Sequence, residues 1–159
     1  MKHYIELTLM DNPDFNLYAL WSKFYTQLHL ALVAMPTQGN VGVSFPEYVY
    51  KEDDGKAFGF LGSKLRIFAH DEATLQQLNI TQALSRLSDY VHITGIRSVP
   101  KNVTYAIYKR HQPKTNAERL ARRRVKHKQD MTFEQAVKMY QSKISHTHLP
   151  FVQLDSLSN

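Results

Sequence analysis

Residues 17–34 read L-Y-A-L-W-S-K-F-Y-T-Q-L-H-L-A-L-V-A. Leu17, Leu20, Trp21, Phe24, Leu28, Ala31 and Leu32 recur at intervals of three and four. That spacing places them on one side of an α-helix facing a core. Pro36 and Gly39 close the helix. Upstream, His3 to Met10 alternates: Ile5, Leu7 and Leu9 point one way, Tyr4, Glu6 and Thr8 the other, as in a half-buried strand. D-N-P-D (Asp11 to Asp14) turns the chain between the two. Downstream, Val41 to Phe45 and Lys64 to Ala69 read as strands, with K-E-D-D-G-K (residues 51–56) as an exposed loop or hairpin tip. Asp71 or Thr74 starts a helix through Leu78, and a second helical piece runs from Thr81 to Leu87. Tyr90 to Thr94 follows as a strand. Strand, helix, strand, strand, helix, strand is the split βαβ order of a ferredoxin-like sheet, so an α+β fold is expected with that domain over residues 1–97.

Residues 98–159 differ in character. Thr104 to His111 reads as a further strand, Thr115 to Lys128 as a helix, Thr132 to about Lys143 as another, and Pro150 to Leu154 as an extended segment. The chain has 159 residues and a net charge of +6, but 10 of its 20 Lys and Arg lie between Lys101 and Lys128, facing a single acid, Glu118. Thr115 and Glu118 have capping-box spacing. At about 100° per residue, Arg119, Arg122, Arg123 and Lys126 fall within an arc of about 100°. Ala117, Leu120, Ala121 and Val125 form a thin apolar side, interrupted by Arg124 and Lys128. A solvated helix would interleave acids at i,i+4; an arc of cations without one implies a polyanion, and nucleic acid is the simplest. The helix lacks the broad apolar face needed to enter lipid, so no membrane partner is expected.

The absence of cysteine excludes a disulfide framework and a thiolate metal site. The residues Gly55, Gly59 and Gly62 make no nucleotide-binding motif, and His146-x-His148 lacks a clear third ligand, so neither cofactor nor metal is expected. No long apolar run or signal-like N-terminus is present, and a cytoplasmic protein is expected. Tyr4, Tyr105 and Tyr108 read as cross-strand packing residues before they read as base-stacking ones.

Several stretches together resemble a known family. G-V-S-F-P (Gly42 to Pro46), L-R-I (Leu65 to Ile67), R-H-Q-P-K-T-N-A-E-R-L (Arg110 to Leu120) with its arginine run, and L-P-F-V-Q-L (Leu149 to Leu154) are similar to the CRISPR repeat-processing endoribonucleases of type I-F systems, the Csy-type Cas6 group. The similarity keeps its order from His3 to Ser158. The resemblance implies an arginine helix lying in the major groove of a repeat stem-loop, and metal-independent cleavage at the foot of that stem. It implies that the enzyme then stays on the mature RNA within a surveillance complex of other subunits. Residue by residue it places the catalytic histidine on His29, base-reading positions on Arg110 and Gln112, and groove contacts on Arg122, Arg123, Lys126 and His127. Thr115 and Arg119 belong to the same surface, and the ribose-positioning serine falls on Ser156, with Ser158 beside it. His127 stands where an arginine is usual. Relatives continue past the position of Asn159 into further strands and a Gly-rich loop with an active-site tyrosine, so the chain is expected to be incomplete at its C-terminus.

The chemistry implied is consistent with the residue types. Without a metal, the 2′-hydroxyl beside the scissile phosphate is the nucleophile, and the protein must position it, move protons and stabilise charge. Imidazole, with an unperturbed pKa of about 6.5, moves protons near neutrality. From the residues alone, His29 is an ordinary boundary histidine on an amphipathic helix, on the flank shared by Tyr18, Tyr25 and Val33; the resemblance assigns it as general base or 2′-hydroxyl ligand. Arg110 and Gln112, two apart, share a face on an extended segment and could read guanine and adenine. The A-form major groove is normally too narrow for a helix, so a short stem with an open end suits this one better than long duplex. The alternatives are a non-catalytic subunit that binds the same hairpin, and a structural RNA-binding module of ribosomal or RRM-like type.

Overall fold

The structure, a computed structural model, describes all residues except 14, 37–39, 55, 109, 110, 112, 114, 129, 146 and 155–159. It divides into two compact units, Met1–Ile107 with Leu149–Asn159, and Tyr108–His148.

The first unit is built on β1 (His3–Leu9), whose alternation buries Ile5, Leu7 and Leu9 on one face. α1 (Leu17–Ala34) lays Leu20, Trp21, Phe24 and Leu28 into the same core, as its spacing predicts. Asn16 caps its start, accepting the Ala19 N–H at 2.8 Å. It ends at Met35, held in extended backbone immediately before Pro36, the conformation that a following proline imposes. After β2 (Val41–Ser44) comes a separate hairpin of β3 (Val49–Asp53) and β4 (Lys56–Phe60). β5 (Lys64–Ala69) buries Leu65, Ile67 and Ala69. α2 (Glu72–Leu78) is capped by Asp71, whose carboxylate accepts the Thr74 N–H and Oγ1–H, both at 2.8 Å. α3 (Ile80–Ala83) and a short 3₁₀ turn lead to β6 (Val91–Ile93) and β7 (Arg97–Ser98).

The sheet order is β2-β5-β1-β6, with every neighbouring pair antiparallel. β7 resumes the pairing with β1 at Tyr4↔Arg97 and His3↔Ser98. Between β6 and β7 the Thr94 hydroxyl accepts the Glu6 N–H at 3.0 Å, so that donor keeps a partner where the strand breaks. On the face away from the helices Tyr4 stacks across the pair on Phe68, with ring centroids 5.7 Å apart, the packing role its position suggests. Arg66 lies over the Tyr4 ring and bonds Glu6 at 2.6 Å.

K-E-D-D-G-K falls at the closed end of the β3–β4 hairpin, as one reading has it, but Lys51, Glu52, Asp53 and Lys56 are paired in its strands, so the ladder runs further into the stretch than expected. Thr104 to Tyr108, expected within a strand, is not one. Val103, Tyr105 and Ile107 alternate as a strand would, yet Tyr105 is 92% and Ile107 83% exposed, and among the described residues no ladder pairs them. Tyr105 is therefore not a cross-strand packing residue.

One glycine is required. Gly62 sits at φ +81°, and a Cβ there would collide with Cβ of Glu47 and lie within 3.2 Å of its Cα. Its carbonyl accepts the Trp21 indole N–H at 2.9 Å, and Glu47 accepts Ser63 N–H at 2.8 Å next door. The corner thus locks the β4–β5 connection onto α1. Gly62→Ala is expected to destabilise the fold by about 2–4 kcal/mol, through positive-φ strain and the clash together. Urea denaturation of the variant beside the parent checks it.

In the second unit α4 (Ala117–His127) packs on α5 (Phe133–Gln141). Ala117, Ala121 and Ala136 are buried there; small residues let the two backbones approach, so the thin apolar side of α4 is covered. The Thr115–Glu118 capping box is corrected. Asn116 caps α4, accepting the Arg119 N–H at 2.9 Å. Its short amide side chain, one residue on, makes the bond expected of the Thr hydroxyl. The capping box lies instead at Thr132 and Gln135, at the start of α5.

Candidate nucleic-acid interface

α4 presents Arg119, Arg122, Arg123 and Lys126 to solvent, in the arc predicted from their spacing. The expectation that no acid relieves that arc needs one correction: Glu118 bonds Arg122 across one turn at 2.9 Å. The pair is exposed on both sides, so it contributes little to stability and yields readily to a competing phosphate. Arg119, Arg123 and Lys126 have no acidic partner among the described residues. The last turn holds Arg124, Lys126 and His127, where the negative end of the helix dipole favours cations.

Arg124 is different. It turns from the arc toward the α4–α5 connection and forms a two-pronged pair with Asp130. Asp130 raises the guanidinium further above its ordinary range, chiefly by hydrogen bonding, and Arg124 in turn holds the Asp130 carboxyl below the usual carboxylate range. Tyr140 stands beside Arg124 and adds a smaller push to its guanidinium in the same direction. This cation is occupied within the unit and is not a free ligand for RNA.

Beside the arc lies an open groove of about 430 Å³, lined by Leu120, Arg123, Arg124, His127, Lys128 and Tyr140. Sequence reasoning missed it. Tyr140 comes from α5, and nothing in the spacing within α4 signals an aromatic ring supplied by another helix.

The other expected site residues fall as follows. Thr115 and His127 are exposed at the two ends of α4. His29 is exposed on α1 in the first unit, at the edge of the buried stripe, as its helical position predicts. In the first turn of that helix, Tyr18 bonds Gln153 at 3.3 Å and packs edge-on against Phe151, pinning the segment that precedes residue 155. Arg110, Gln112, Ser156 and Ser158 lie outside the described residues. Among the described residues no helix is long and apolar enough to cross a membrane, and no three His, Cys, Asp or Glu stand together in a way that could hold a metal.

Comparison with known proteins gives concordant matches. Residues 4–159 match the family described as "CRISPR-associated protein (Cas_Csy4)". A "CRISPR-associated endonuclease Cas6/Csy4" of Escherichia coli (strain UTI89 / UPEC) is 32% identical over 160 residues, spanning 100% of this chain and 80% of that protein. The protein of the same name from Pseudomonas aeruginosa (strain UCBPP-PA14) is 35% identical over 161 residues, spanning 99% of this chain and 80% of that protein. A solved amidase of the hydantoinase/carbamoylase family from Burkholderia ambifaria overlaps 62% of this chain and 26% of its own, with a TM-score of 0.29 and 9% identity, too weak a likeness to carry any argument. With a family match over nearly the whole chain and relatives above 30% identity, this chain belongs to the Cas6/Csy4 family of CRISPR-associated proteins.

Proposed function

We propose that the chain is an endoribonuclease that binds the stem-loop of a CRISPR repeat through α4 and cleaves the precursor RNA at the foot of that stem. The observation that carries this reading is the exposed arc of Arg119, Arg122, Arg123 and Lys126, in a chain whose relatives are named endonucleases. A short hairpin fits an arginine helix because its open loop end widens an otherwise narrow groove. The antiparallel order β2-β5-β1-β6 supports a ferredoxin-like fold for residues 1–97, with RNA recognition assigned to residues 98–159.

Cleavage proceeds by in-line attack of the 2′-hydroxyl on the adjacent phosphorus. The O2′–P bond forms as the P–O5′ bond breaks, leaving a 2′,3′-cyclic phosphate and a 5′-hydroxyl. The 2′-hydroxyl proton is lost and the 5′-oxygen gains one, so the reaction needs no water and no metal. His29 takes the 2′ proton or holds that hydroxyl for attack, and Ser156, with Ser158 as its neighbour, bonds the ribose or phosphate. Arg110 and Gln112 read bases at the foot of the stem. The product stays bound and enters the surveillance complex with other subunits.

The test is cleavage in EDTA of the source organism's repeat hairpin and of a copy with one 2′-deoxy nucleotide at the scissile position. The first is cut to a cyclic phosphate and the second is untouched. Cutting of the deoxy copy would overturn the mechanism. Tight binding with no cutting of either would favour a hairpin-binding subunit instead.

A further inference from the structure

The groove beside α4 has a make-up that a phosphate contact alone does not require. Leu120 and the Tyr140 ring form its apolar part, and Arg123, His127 and Lys128 stand around it. Arg124 also lines it, but is engaged by Asp130 and serves as a fixed wall. Its volume of about 430 Å³ falls at the lower end of the range for small-molecule sites, roughly 300–1,000 Å³.

Arg123 joins this groove to the outer arc. Going round the helix at about 100° per residue, Leu120 and His127 follow Arg123 within about 60°, while Arg119, Arg122 and Lys126 lie on its other side. An RNA strand held by the arc therefore reaches the groove without leaving the field of cations. An apolar ligand has no use for two surrounding cations and an imidazole, and a bare phosphate has none for Leu120 and an aromatic ring. A nucleotide uses both. Sequence-specific RNA recognition favours unstacked bases laid on aromatic faces.

We propose that the groove takes one unstacked nucleotide of the bound RNA, a base of the hairpin loop turned out of the stem. The base lies against Tyr140 over Leu120, and its phosphate sits among Arg123, His127 and Lys128. The inference rests on the reading of this chain as a repeat-hairpin binder, and adds to it a loop-reading subsite.

The test is an abasic scan. Each loop nucleotide of the repeat hairpin is replaced in turn by an abasic residue, and dissociation constants for the unaltered protein are measured by fluorescence anisotropy. One position is expected to cost roughly tenfold or more, the scale of a lost base–aromatic stack, and the others less than about threefold. Tyr140→Leu should cost a similar factor on the intact hairpin and nothing further on the hairpin abasic at that position. Tyr140→Phe, which keeps the ring, should stay within about twofold. A flat scan, or losses that simply multiply between Tyr140→Leu and the abasic site, overturns the subsite while hairpin binding stands. Failure of the unaltered protein to prefer the hairpin over an unrelated RNA of equal length overturns the hairpin reading, and the subsite with it. The scan needs no altered protein, so a folding defect in a variant cannot obscure it.

Discussion

Replacing His29 with alanine is expected to slow single-turnover cleavage of the repeat hairpin by roughly 10²- to 10⁴-fold, the usual contribution of a positioned acid–base group. Affinity for the hairpin should stay within about threefold. The separation follows from where the residue stands. His29 is exposed on α1, outside the buried stripe of Leu20, Trp21, Phe24 and Leu28, so its loss opens no cavity in the core. It also lies outside the helix that carries the cationic arc, so that arc is intact without it. An interaction made only as the 2′-hydroxyl attacks lowers the rate and leaves ground-state binding alone. Quenched-flow cleavage with enzyme in excess, beside anisotropy binding to the uncleavable 2′-deoxy hairpin, gives the two numbers. Equal loss in both would mean that His29 holds RNA and does not act on it; no loss in either would remove it from the site.

The parts of the molecule legible in the sequence are those where one side chain pattern meets one core. α1 and β1 were readable because their apolar residues recur at the period of the element, and those positions are buried or packed against the core at its edge. The β3–β4 hairpin was readable only at its tip, because Val49, Phe58 and Phe60 stay exposed, and a strand without a buried face shows no clean alternation. The stretch from Val103 to Tyr108 has the alternation but lacks a ladder among the described residues, and pairing, not propensity, makes a strand. At the start of α4, Thr115 and Asn116 are both good caps and adjacent, so a one-residue choice was open; the Asn side chain takes the amide. The cationic arc was legible because it needs only helical spacing. The Glu118–Arg122 pair was legible by the same rule and was passed over, since Glu118 stands just outside the arc. The Arg124–Asp130 clamp and the Tyr140 wall were not, because both depend on how the chain turns between α4 and α5.

The arc itself supports the second large prediction. Changing Arg119, Arg123 and Lys126 together to glutamine should weaken hairpin binding by roughly a hundredfold at 0.15 M salt, and flatten its salt dependence. Each phosphate contact adds about 0.7 to 0.9 to the slope of log affinity against log salt, so three lost contacts should lower that slope by roughly 2 to 3. Arg122 is left in place because its pairing with Glu118 would mix a released acid into the result. Arg124 is left because its pair with Asp130 holds the α4–α5 connection. The three altered residues are exposed and without acidic partners among the described residues, and glutamine keeps the aliphatic stem and a good helix propensity. The fold should therefore be unchanged by circular dichroism. Arg86→Gln, an exposed cation of the first unit, serves as the control and should leave the slope as it was. A triple variant that loses affinity without a change of slope would mean that these cations support structure and do not touch phosphate. A slope that falls in the Arg86 control by about a third as much, one charge against three, would mean that net charge, and not the arc, draws the RNA.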